Sequence, residues 1–168
     1  MKVKMTLVLA LTLTGLISQA SFAADGNVRL AALMRSISKD MGIATAPLKV
    51  PAVADVTDNM ILDAVMRTRS IRYFFQEFSL KIGKTSDQSF TQDEFTPDSI
   101  KSLSGTSLTE ALTKAASLVD QLNSKFADAE AIYLSELTKA PNERNLNGVM
   151  QLMKEAQALQ KEAHTLFN

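Results

Sequence analysis

The stretch Ser107–Pro141, SLTEALTKAASLVDQLNSKFADAEAIYLSELTKAP, decides the fold. Leu108, Leu112, Ala115, Val119, Leu122, Phe126, Ala129 and Tyr133 recur at alternating steps of four and three. Successive helical residues turn by about 100°, so these steps hold all of those side chains on one stripe. A stripe kept over nearly four heptads is a coiled-coil-like seam for a neighbouring helix. SLTE, Ser107 to Glu110, has the form of a capping box, in which serine and glutamate each satisfy an amide at the other's position. Pro141 cannot extend a helix and closes the segment. The spacing therefore predicts a helix of about 33 residues, about 50 Å long at 1.5 Å per residue.

Downstream, a helix is expected to open near Asn142 or Asn145 and run to the end, with Leu146, Val149, Met150 and Met153 marking its apolar face. The short connection makes it the antiparallel partner of the long helix. Upstream, a polar connection, KTSDQSFTQDEFTPDSIKSLSG, carries one expected helical turn at Thr96-Pro97-Asp98. Before it, a helix is read from Thr57 or Asp58 to Ile82, with Gly83 as its stop. Its apolar face is Ala64, Ile71, Phe74, Phe75, Phe78 and Ile82. A further helix is read from about Asn27 to Met41, capped by Asp25 or Asn27 and ended by Gly42. Leu30, Leu33, Met34, Ile37 and Met41 form its stripe. Pro47 and Pro51 predict an extended linker between the two, apolar enough to lie along the body. No hairpin signal or internal repeat interrupts the helical spacing. The fold class is all-α: an antiparallel, up-down bundle of four helices, one of them long.

At the N-terminus, Lys2 and Lys4 precede an uncharged apolar run from Met5 to Ile17, followed by SQASFA. Ser21 and Ala23 flank Phe22 in the small-x-small pattern of a secretory signal, with cleavage after Ala23, or alternatively after Ala20. Residues 1–23 are thus expected to be a signal peptide and 24–168 one helical-bundle domain. Export to the periplasm follows, with no integral membrane segment left after cleavage, because no second long apolar run exists.

Composition narrows the chemistry. The 168 residues carry 18 basic and 18 acidic side chains. Removing the signal lysines leaves a mildly acidic chain, which argues against a nucleic-acid partner. With no cysteine, the chain has no disulfide, thiolate nucleophile or Cys-ligated metal. A Ser-His-Asp triad would have to use His164, the only histidine, four residues from the end. Asp128 and Glu130 stand two apart and would diverge on a helix, and Asp87 to Phe95, which holds the pair Asp93 and Glu94, lacks the ligand spacing and central glycine of a calcium loop. Met150 and Met153 are too sparse a pair for a Cu(I) site. No enzyme is expected. The expected role is non-enzymatic binding or accessory protein interaction, with self-association among the options.

Two constellations remain. In RTRSIRYFF, Arg69 and Arg72 share a helix face beside Tyr73, while Arg67 points elsewhere. Guanidinium groups pair well with carboxylate or phosphate, so this face suits an acidic protein partner. Read structurally, the same arginines form a solvated face paired with Glu77 and Asp63. The second constellation is His164. From its residues alone it is a tail histidine, placed to cap last-turn carbonyls. The stretches MRSISKDM at Met34 and HTLF at His164 together, one on the first helix and one on the last, resemble the cytochrome b562 family. The resemblance implies a b-type haem held without covalent attachment between Met34 and His164, and electron transfer as the function. Gln160 stands where that family carries an arginine one turn before its histidine.

Overall fold

The computed structural model describes residues 28–83 and 102–167. The expected signal segment, the Asp25 and Asn27 caps and the Thr96–Asp98 turn lie outside the described residues.

Within them the chain forms four α-helices: α1 (Val28–Ala44), α2 (Asp58–Gly83), α3 (Gly105–Leu137) and α4 (Asn147–Phe167). Short 3-10 turns at Ala46–Lys49, Val53–Asp55 and Pro141–Glu143 link them. Close packing joins consecutive helices, α1 to α2, α2 to α3 and α3 to α4. Side-chain pairs set the register. Ser79 meets Asp120, Arg69 meets Glu130 and Arg144, just past α3, meets Asp58, so α2 and α3 run antiparallel. Lys125 with Glu155 and Lys114 with Glu162 do the same for α3 and α4. The all-α antiparallel bundle with one long helix is the observed fold.

The α3 seam is its spine. Leu112, Ala115, Val119, Leu122, Phe126, Ala129 and Tyr133 are all buried, and Leu108 is half-buried. One core cluster takes residues from every helix, including Ala44, Ile61, Ile71, Phe126, Tyr133, Val149 and Met153. Each large apolar side chain buried there contributes about 1.5–3 kcal/mol over its exposed state. The Phe75 ring packs on Phe126 with centroids 5.7 Å apart. A smaller cluster, Leu112, Ala115 and Val119, lies toward the start of α3. Ser79 reaches Asp120 close to the end of α2, so the turns of α3 before about Ala116 lie past that end.

The boundaries differ from the sequence reading in three places. α3 starts at Gly105, with extended Ser104 at its N-cap, so Ser107 is already inside the helix and SLTE is not its capping box. Gly105 has φ of +57°, a left-handed value that glycine adopts without a Cβ clash, and this lets the helix begin there. α1 runs through Gly42 to Ala44. Its end is made by Thr45, whose amide and hydroxyl both donate to the Met41 carbonyl, at 3.0 and 2.8 Å, just before the ring of Pro47. The linker is two 3-10 turns rather than an extended strand, although it does lie on the body, with Pro47 and Val56 buried. The open alternatives resolve to Thr57, whose Oγ1 accepts from the Met60 amide at 3.3 Å, and Asn145, whose Oδ1 accepts from the Asn147 amide at 3.0 Å.

Candidate functional site

Arg69 and Arg72 lie three residues apart on α2 and reach across to α3. Their common partner is Glu130 and not Asp63, which is exposed; the expected partner Glu77 has its side chain outside the described residues. Arg69 Nε donates to Glu130 Oε1 at 2.5 Å and an Arg72 Nη to Oε2 at 2.6 Å. Arg72 Nε also lies 3.4 Å from Asn123 Oδ1. Burial alone would push the Glu130 carboxyl upward; the two guanidinium groups outweigh it and hold it below the usual carboxylate range. Asp128, two residues away, is exposed, as the helical divergence requires. Arg67 faces α1, where it pairs with Asp40 at 3.1 Å, and Ser70 Oγ donates to the other Asp40 oxygen at 2.8 Å.

The clamp sits on an open flank. Leu62, Met66 and Tyr73 on α2 are 43%, 60% and 60% exposed. With Arg69, itself 60% exposed along its side chain, they step by four, three and four. That is a second seam, on the face of α2 opposite the buried Ala64, Thr68 and Ile71. Leu134, another exposed large apolar residue, stands one turn beyond Glu130 on α3. Two guanidinium groups meet one carboxylate here, so the centre of the seam keeps one surplus positive charge among the described side chains. The sequence reading found Arg69, Arg72 and Tyr73 and missed Leu62, Met66, Leu134 and Glu130. The four-three-four spacing of Leu62, Met66, Arg69 and Tyr73 was the signal available for the first two.

A closed polar cluster lies at the α3–α4 turn. The Arg144 side chain is 1% exposed. It donates to the carbonyls of Glu136 at 3.2 Å and Val56 at 2.5 Å, and to the Asp58 carboxylate. Glu136 accepts from Lys139 Nζ at 2.7 Å and from the Asn145 amide at 2.8 Å. Burial raises its carboxyl, and these donors together with nearby Arg144 bring it below the ordinary range. These partners are groups of the chain itself, so the cluster fastens the hairpin to the start of α2.

Met34 lies on α1 and His164 on α4, but both side chains are outside the described residues. From Leu146, just before α4, the buried side chains continue along it as Val149, Met153 and Ala156, with Leu152 and Leu159 half-buried. Among the described residues no group of three or more histidine, aspartate or glutamate side chains is placed to hold a metal ion, and no helix is long and apolar enough to cross a membrane. Comparison with known protein families, curated proteins and solved structures finds no match to this chain.

Proposed function

We propose that this chain is an exported, non-enzymatic helical-bundle protein that works by binding a protein partner through the outer flank of α2. The supporting observation is the exposed seam of Leu62, Met66 and Tyr73 around the Arg69–Glu130–Arg72 clamp. Exposed apolar residues scattered singly need no explanation, but a row at seam spacing marks an interaction surface. The test is a photo-reactive amino acid placed at Met66 in cells, beside the same probe at exposed Lys154 on α4. A discrete adduct at Met66 and none at Lys154 supports the reading; identical patterns sink it. N-terminal sequencing of the exported protein tests the other half, with Ala24 as the expected first residue.

The haem-carrier alternative requires a gap between α1 and α4 wide enough for a porphyrin. Haemin titration separates the two: we expect no sharp Soret band, whereas one that disappears in His164→Ala would establish the haem reading instead.

A further inference from the structure

We infer that the partner seated on this flank is an amphipathic helix of another protein with an acidic residue in the middle of its apolar face. The inference rests on the reading of the flank as a docking surface and adds the chemistry of its occupant. Leu62, Met66, Arg69 and Tyr73 span about three helical turns, about 16 Å at 1.5 Å per residue. Four-three-four steps are the spacing that one helix offers to another. Leu62 and Met66 make one apolar end, and Tyr73 closes the other with a ring and a hydroxyl.

The middle position decides the partner. Arg69 is exposed, and among the described residues the one carboxylate it pairs with, Glu130, is shared with Arg72. Packing a wholly apolar helix over this site would take the surplus cation out of water with nothing to meet it, which is costly. A carboxylate on the incoming helix supplies the missing charge and can accept from guanidinium N–H groups that Glu130 leaves free. A second copy of this chain fits poorly. In a twofold pairing along the seam, Arg69 of one copy faces Arg69 of the other in parallel register. In antiparallel register the two stand within about a turn of each other. Either way the surplus charges of two clamps meet in the same seam.

The test uses protein purified from cells expressing the full chain, and two fluorescent helical peptides of about two heptads. Both carry leucine at the seam positions; one has glutamate and the other glutamine at the central seam position. Fluorescence anisotropy should show the glutamate peptide binding about tenfold more tightly, the size of one charge-assisted hydrogen bond. Arg69→Gln should abolish that preference, and Met66→Ser should weaken both peptides. Circular dichroism should stay unchanged in both variants, because the altered side chains are exposed. Equal binding of the two peptides, still weakened by Met66→Ser, would overturn the acidic partner and leave the docking surface standing. Binding of neither peptide would overturn the docking surface itself. A dimer in sedimentation velocity that dissociates in Met66→Glu would replace the acidic helix with a second copy.

Discussion

The α3–α4 turn and the outer flank of α2 each combine arginines with a buried glutamate, and they use them in opposite ways. At the turn, Arg144 is almost wholly buried and directs its donors to two carbonyls and a carboxylate of its own chain. On the flank, Arg69 shares one carboxylate with Arg72, stays exposed, and lies in a row of exposed apolar residues. A closed set of partners produces stability. An incomplete one, surrounded by apolar surface, is where we propose that a partner binds. Mutations at the two sites should therefore separate folding from binding.

The largest effect is expected at the turn. Arg144→Ala leaves the Val56 and Glu136 carbonyls without this donor and removes the cation beside Glu136. Breaking a buried charged network typically costs about 3–5 kcal/mol. Denaturant unfolding should show a loss in that range, and a loss well under 1 kcal/mol would break the contrast.

Glu130→Gln should come next, at about 1–3 kcal/mol, because it replaces a charged acceptor shared by two guanidinium groups. Its pH dependence is specific. The folded-state pKa of Glu130 lies below the ordinary value, so its contribution is complete above the unfolded pKa of about 4.3 and is lost as pH falls through the folded value. The stability gap between wild type and Glu130→Gln should be constant near neutrality and shrink in acid below about pH 4. A gap that widens in acid would show the sign to be wrong.

Much of the fold is legible in the sequence because the α3 seam is regular. Eight residues at four-three spacing dictate one buried stripe, and seven of them are fully buried. Helix ends are harder to read, because local chemistry competes there. Ser107 has a capping motif, yet the left-handed φ open to Gly105 lets Ser104 take the N-cap. Gly42 has a stop signal's identity, but stop signals need a left-handed residue, and the α1 end is instead made by Thr45 and Pro47. The site was half legible. Arg69 and Arg72 share a face by spacing alone, but their partner Glu130 lies 61 and 58 residues away, and only the α2–α3 register brings it near.

Two smaller effects sharpen the comparison. Gly42→Ala should stabilise the protein by about 0.5–1 kcal/mol, since a Cβ there meets no atom within 4 Å and alanine favours the helix. A rise of a few degrees in Tm is the expected readout. At the flank, Met66→Ser and Tyr73→Ser should change stability by less than about 0.5 kcal/mol, as exposed substitutions do. A large destabilisation there would mean that the row supports the fold and is not reserved for a partner.

The buried Tyr133 hydroxyl donates to the Ala44 carbonyl at 2.6 Å, across 89 residues of chain. Translation at about 5–20 residues per second puts a delay of about 4–18 seconds between the two groups. Until Tyr133 is made, the end of α1 lacks the phenol that completes it, and α2 lacks the helix that covers its core face. The first half of the bundle is thus synthesised well before its cover exists. A chain built in this order gains from any factor that shields the first two helices during those seconds.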